Sequence, residues 1–420
     1  MRIITLCLFI CLCFDTKSQT LKQLSEEATK AYKDKNMPLF LFLTKQQDSI
    51  RPSHPTILYN LACAYALNAK SSEAISVLKN MILMNNKVAF ETDEDLASLH
   101  ELTEYKALLK LKTNQLIEVK HSNKIIELSA KELHPEGITY LPKHKLWLSG
   151  SIRKHKIVSF NIKTGECDEW LTDGKLLSVF ALKADAKEEF LWVATSAVPE
   201  MDNYSEEKNG IGEILKIEIK TKQIIRGYGL SGSHVFGDIT IAKNGDVFIS
   251  DSDQPLIYKI NPVTDQLEEF INIEKEAFNL QGLTLNEDES ALYIADYLKG
   301  ILKINLKDAT QRTWLDFPEG TTRKGIDGLV FYKNSLIAIH NGIKPIRIIK
   351  YDLNKEGTHA IKATVIDHAR QEFMEPTLAT LIGSELYFIA NSPWSCYTKD
   401  FQLDESKLRS PLLYRFKIEK

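Results

Sequence analysis

The chain lacks most signatures that would place it at a glance. Its 420 residues hold no HExxH zinc motif and no phosphate-binding P-loop. There is little excess charge: 53 Lys and Arg against 56 Asp and Glu leave a net charge of -3. No basic stripe with interleaved aromatics is present, so a nucleic-acid partner is excluded as a general role. Cysteine is scarce once its positions are considered. Of six, Cys7, Cys11 and Cys13 lie before residue 18, and Cys63, Cys167 and Cys396 are an odd, scattered set with no CxxC pair. That argues against a disulfide framework or a cysteine metal cluster and for buried small hydrophobes. Gly227-Tyr228-Gly229-Leu230-Ser231-Gly232 matches a dinucleotide pattern by letter. A strand follows it rather than a helix, so no helix N-terminus awaits a phosphate, and it reads as a plain loop. Gly229-Leu230-Ser231-Gly232-Ser233 falls short of a nucleophile elbow, because Ser233 stands where the sharp turn needs glycine.

The one long apolar run is Ile3 to Phe14, behind Arg2. It has the length of a signal-peptide core and is too short to span a bilayer. Small Thr16 and Ser18 follow, so residues 1–18 read as a signal peptide cleaved near Ser18-Gln19. A retained anchor is one alternative. A lipoprotein acylated at Cys11 or Cys13 is another, although Phe9, Ile10 and Leu12 are bulky for that signal. The expectation is a secreted or periplasmic protein with no transmembrane span after cleavage.

What is present divides in two. Residues 19–117 carry apolar residues at three-to-four spacing, the period of amphipathic helices. The run from Thr56 to Leu67 and the run from Glu73 to Leu78 place Ala62, Ala66 and Ala74 where two antiparallel helices approach closely. With Tyr59 and Tyr65 nearby, this segment resembles a tetratricopeptide repeat, of which one and a half to two copies fit. Fewer than three repeats rarely stand alone. The module is expected to lean on its neighbour, either as a structural cap or as the site of a protein partner.

From residue 122 to 420 the period becomes strand-like. Six units recur, each roughly 40 to 60 residues long, as propeller blades do. Their first strands include Gly137-Ile138-Thr139-Tyr140-Leu141, Gly282-Leu283-Thr284-Leu285 and Gly328-Leu329-Val330-Phe331. Second strands such as Lys145-Leu146-Trp147-Leu148-Ser149 and Ala291-Leu292-Tyr293-Ile294-Ala295 put an aromatic ring at an equivalent position in five of the six units. Those rings are expected to pack between neighbouring blades. The last unit ends with three strands, while a spare strand, Lys124-Ile125-Ile126-Glu127-Leu128, precedes the first. A closed ring leaves no long bare edge, so this strand is expected to complete the last blade. The fold class that follows is mainly β: a six-bladed β-propeller behind an N-terminal α-helical, tetratricopeptide-like module. An eight-stranded barrel or paired sandwiches are the alternative.

WD and kelch signatures are absent. Pro135-Glu136-Gly137-Ile138, Phe236-Gly237-Asp238-Ile239, Leu280-Gln281-Gly282-Leu283 and Ile326-Asp327-Gly328-Leu329 occur in order across four units. They resemble the senescence-marker-protein/gluconolactonase/luciferin-regenerating-enzyme family from about Leu133 to the end. In such a ring the starts of the first strands converge on the axis, here Glu136, Asp238, Gln281, Asp327 and Glu375. Carboxylates facing one point repel, and their pKa values rise unless a cation sits between them. Oxygen ligands of this kind suit Ca²⁺, and Mg²⁺ or Mn²⁺ less clearly.

The resemblance implies a metal site built from Glu136, Asp238, Gln281 and Asp327, with Asp327 both ligand and general base and Glu136 opposite. It implies hydrolysis of a small lactone or ester whose carbonyl the divalent metal polarises. Two family asparagines are replaced, by Gly237, which has no ligand atom, and by Gln281, one methylene longer. Asp238 or Glu375 is expected to substitute. Polar residues at second-strand ends, Asp251, Asp296, His340, Asn341 and Asn391, fall on the same face. His340 is the candidate acid or base there, with a hydrogen-bonded structural histidine as its alternative. His134 and His234 are equally ambiguous. Loops 197–210 and 392–411 have lid or binding-loop length, and Trp394 is a candidate for stacking on a ligand or capping the core. Two readings stay open: a metal-dependent lactonase or esterase, and a non-catalytic propeller that binds a ligand or a protein.

Overall fold

A computed structural model describes residues 20–419, so the expected signal peptide at 1–18 lies outside the described residues. The chain divides into two compact units, residues 20–78 with 90–102, and residues 79–89 with 103–419. No described helix is long and apolar enough to cross a membrane.

The first unit is helical. Helix α1 (Leu21–Lys33) begins on a capping box, in which the Thr20 hydroxyl accepts from the Gln23 N–H and the Gln23 side chain accepts from the Thr20 N–H. Asn36 caps α2 (Met37–Ile50), and Pro55 opens α3 (Pro55–Leu67). Both choices suit an N-terminus, where proline's missing N–H is no loss. Helix α4 (Ser71–Met84) contributes residues to both units. The small residues do what their spacing predicts: Ala62 and Ala74 are fully buried and Ala66 nearly so. A 3-10 helix (Glu94–Leu99) is tied to α1 and α3 by phenols. Tyr32 donates to Asp95 at 2.8 Å and Tyr59 to Asp93 at 2.6 Å.

The second unit holds α5 (Thr103–Asn114) and six antiparallel sheets, the six blades of a propeller. Blades one to four each follow chain order in four strands, from Ile138–Leu141 at the centre of blade one to Arg312–Trp314 at the rim of blade four. Blade five (Ile326–Tyr332, Ser335–His340, Arg347–Leu353, Ala360–His368) carries a fifth outer strand, Val119–Lys120, which no sequence signal announced. Blade six has three strands of its own (Ala379–Ile382, Glu385–Ile389, Leu412–Lys417). Its fourth is Asn123–Glu127, with Lys124 opposite Tyr414. The ring closes as the spare strand predicts.

The core lies between the blades. Six hydrophobic clusters each join a neighbouring pair, and the last unites Leu128, Ile138 and Trp147 with Tyr387 and Leu413. Three of the repeated aromatics meet a ring of the adjacent blade: Trp147 and Tyr387 meet each other at 4.9 Å, and Tyr293 meets Phe331 at 5.8 Å. Trp192 and Phe248 instead meet rings of their own outer strands, Tyr228 at 5.7 Å and Phe270 at 5.1 Å.

Two glycines set how tightly the inner strands approach. A Cβ on Gly282 would fall 2.5 Å from the Asp327 carbonyl oxygen of the next blade. One on Gly328 would fall 2.3 Å from that of Thr377. Real Cβ atoms do not come so close to backbone, so these positions admit glycine alone.

Candidate functional site

The residue before each of these glycines faces the axis. At Gln281 and Asp327 the ladder slips, between Leu280 and Leu283 and between Ile326 and Leu329. A bulge of this kind re-aims a side chain, here into the shaft. Glu136 precedes the first strand of blade one, and Glu375 that of blade six. All four line one cavity of about 320 Å³, together with Tyr297, Asn341 and Trp394 and the apolar walls Phe180, Val198 and Leu378. Glu136 and Asp327, from blades on either side of blade six, therefore meet at one mouth of the ring.

The acids are held in an unfavourable setting. Burial pushes the Glu136 carboxyl well above the usual range, and the charges of Asp327 and then Glu375 add to it. Burial likewise raises Asp327, with Glu375 and Asp238 adding repulsion. Donors offset part of this. Trp394 Nε1 donates to Glu136 Oε2 at 2.8 Å, and the Ser392 hydroxyl donates to the same atom at 3.3 Å. Asn341 Nδ2 donates to Asp327 Oδ2. Folded acids that hold protons more tightly than unfolded ones favour folding most at low pH, and lose that contribution as pH climbs through their raised values. The unfolding temperature of EDTA-treated protein is therefore expected to fall between about pH 5 and pH 8. Glu136→Gln should flatten that fall. Thermal melts across this range check it, and a flat wild-type profile would contradict the placement of the acids.

Asp238 does not join the others. Blade three reverses the order of side chain and glycine, Gly237 then Asp238, and both Asp238 oxygens accept backbone amides. Oδ1 takes Ile239 N–H at 2.8 Å, and Oδ2 takes Leu283 N–H of the next blade at 3.1 Å. Burial raises its pKa to about 6, but its role is to bridge two inner strands, and it is not among the cavity's lining residues. Gly237 does line the cavity, and the space a side chain would need is taken, since a Cβ there would fall 2.6 Å from the Ser252 hydroxyl.

His340 also stands elsewhere. Its strand is buried along its whole length, and both ring nitrogens have partners: Nδ1 the Lys324 carbonyl at 3.0 Å and Nε2 the Tyr351 hydroxyl at 3.1 Å. Burial lowers its pKa to about 3. The other strand-end residues knit loops. Asp251 and Asp296 each accept several backbone N–H groups, and Asp251 Oδ2 also holds His234 Nδ1 at 2.7 Å. Asn391 spans Ser410 and Leu412. Of that set only Asn341 reaches the shaft. The two long loops meet where the Tyr397 hydroxyl donates to the Glu200 carbonyl at 3.4 Å, and each sends one residue to the cavity, Val198 and Trp394. His134 sits against Trp394, ring centres 4.6 Å apart.

The donor set at the shaft is all oxygen: the Glu136 and Asp327 carboxylates and the Gln281 amide, whose nitrogen is engaged by Asn279 at 2.5 Å. That chemistry fits a hard divalent cation. Glu375 lines the same cavity, and its charge acts on both acids. Among the described residues, the group of three acids, thiols or imidazoles whose ligand atoms all lie within 4.8 Å of one another is Cys63, Asp93 and Asp95, in the helical unit. There the carboxylates accept the phenols described above, Asp93 caps the 3-10 helix, and burial pushes the Cys63 thiol up to about 12. A thiol that stays protonated is a poor ligand, so hydrogen bonding accounts for this group.

No protein-family model and no curated protein matches the chain. Among solved structures, it is similar to virginiamycin B lyase from Staphylococcus aureus at 18% identity, over 63% of this chain and 80% of that one, with a TM-score of 0.45. It is similar to luciferin-regenerating enzyme at 13% identity, over 70% and 95%, with a TM-score of 0.48. It is similar to XC5397 from Xanthomonas campestris, described as a gluconolactonase, at 11% identity, over 72% and 100%, with a TM-score of 0.45.

Proposed function

We propose that this chain is an exported propeller hydrolase that opens a small lactone or ester at the mouth of its shaft, with a divalent cation, Ca²⁺ in the first instance, held by Glu136, Gln281 and Asp327. One observation carries the reading: Glu136 and Asp327 share a buried cavity with an amide oxygen, and burial raises both acids. A cation there would supply polarisation of the substrate carbonyl and relief of carboxylate repulsion. The chain's own groups do the rest. Asp327 takes a proton from the attacking water and returns it to the departing alkoxide as the acyl–oxygen bond breaks. Trp394 and Asn341 hold the two carboxylates by one oxygen each, fixing their direction. Phe180, Val198 and Leu378 give the substrate an apolar seat and exclude bulk water. Export rests on the leader at 1–18, and a protein partner is assigned to the helical module.

A second reading, a ligand-binding propeller without catalysis, is favoured by Gly237, which offers no ligand atom where the Ser252 hydroxyl fills the space. Metal analysis of the purified protein, followed by a panel of lactones and aryl esters with and without EDTA, separates the two. Hydrolysis lost with EDTA and restored by Ca²⁺ supports the enzyme. A metal-free protein inert toward the whole panel supports the binding module.

A further inference from the structure

We infer that Tyr297 is a positioning residue: its hydroxyl fixes the Asn341 carboxamide so that Nδ2 faces Asp327, leaving the other Asp327 oxygen for the site's ligand. A carboxamide presents its oxygen and nitrogen at nearly equal reach, so something must decide which end faces which neighbour. A phenol has one proton to give. Here Tyr297 donates it to Asn341 Oδ1 at 3.1 Å, and Asn341 Nδ2 donates in turn to Asp327 Oδ2. A flipped carboxamide would set Oδ1 against a carboxylate oxygen, lone pair to lone pair, and leave the phenol proton without its acceptor in a buried place.

The three residues come from two blades, and the backbone is built to bring them together. Tyr297 follows the second strand of blade four, and its N–H donates to the Asn279 carbonyl at 2.9 Å while its own carbonyl accepts from Gly325 at 2.7 Å. Asn341 follows the second strand of blade five and is 5% exposed. Gly342, the next residue, makes room for the phenol: a Cβ there would fall 2.4 Å from both Tyr297 Cζ and its hydroxyl oxygen. Any larger residue would push the hydroxyl off Asn341. The inference rests on the hydrolase reading only for its kinetic arm.

The test uses the full chain labelled with nitrogen-15 asparagine. The wild-type Asn341 side-chain amide, assigned by its loss in Asn341→Leu, should be sharp and slow to exchange. In Tyr297→Phe, which keeps the ring, it should broaden and exchange faster. Gly342→Ala, which keeps both groups, should do the same. On any lactone or ester the wild type hydrolyses, Tyr297→Phe should lower kcat by about 10- to 100-fold with KM little changed, as misplacement of a reacting group does. Tyr297→Phe/Asn341→Leu should be no slower than Asn341→Leu alone, because the two act through one contact. An unchanged amide signal, an unchanged kcat in an active enzyme, or additive losses would each overturn the inference. Should the wild type hydrolyse nothing, the hydrolase reading fails and the amide signal alone decides this one.

Discussion

Asp327→Asn is expected to lower hydrolysis by about 10²- to 10⁴-fold, the contribution of a well-placed general base, while making the metal-free protein more stable. The two effects have one cause. Asp327 is buried among Glu136, Glu375 and Asp238, and its charge has few compensating donors. Asparagine keeps the shape and removes the charge, so the folded chain gains what the carboxylate cost. Without that charge nothing at this position accepts a proton from water. Glu136→Gln shares the stabilising effect and, on this reading, weakens Ca²⁺ binding more than it alters the proton-transfer step. Initial rates, calorimetric Ca²⁺ binding and thermal melts on the same preparations test all three statements. Full activity in Asp327→Asn would end the proposed mechanism. Lost activity with lost stability would make Asp327 a structural residue.

Leu128→Pro is expected to destabilise the chain by about 3–6 kcal/mol. Leu128 is fully buried in the cluster joining blades one and six, and its N–H donates to the Pro411 carbonyl at 2.8 Å. Truncating such a leucine costs about 2–5 kcal/mol, and the lost backbone hydrogen bond adds about 1 kcal/mol. Against a net stability of about 5–15 kcal/mol, much of the protein would fail to accumulate folded. The control is Val119→Pro, in the outer strand of blade five. That strand adds to a rim and closes nothing, so the loss there should stay near 1 kcal/mol. Urea unfolding of both variants checks the contrast. Equal losses would mean that ring closure carries no special weight.

The propeller was legible because its signals repeat. Period-two strands recurred six times, and the surplus of one strand before the ring matched the deficit of one after it. The acidic mouth was legible in part for the same reason: Glu136-Gly137, Gln281-Gly282 and Asp327-Gly328 repeat one local pattern. Asp238 escaped because the pattern reverses at Gly237-Asp238, and a one-residue slip in a strand turns a side chain to the other face. His340 escaped because second strands lie between two blades and are buried on both faces, so a polar residue at their end is not thereby on the surface. Tyr297 carried no signal at all. Its place depends on a glycine 45 positions away, Gly342, and only the meeting of two blades relates them. Trp394 read as a platform or a plug and proves to be a donor to Glu136, which a loop sequence does not reveal.

The shared sixth blade bears on how the molecule is made. Its outer strand, Asn123–Glu127, leaves the ribosome before any complete blade, and its partner, Leu412–Lys417, emerges only after the other five blades. Until then the nascent chain holds an open arc with a raw edge, and the latch cannot engage. Contacts so distant in sequence form slowly. A ring that cannot lock before its last blade is made becomes a rigid wheel late, and in a single step.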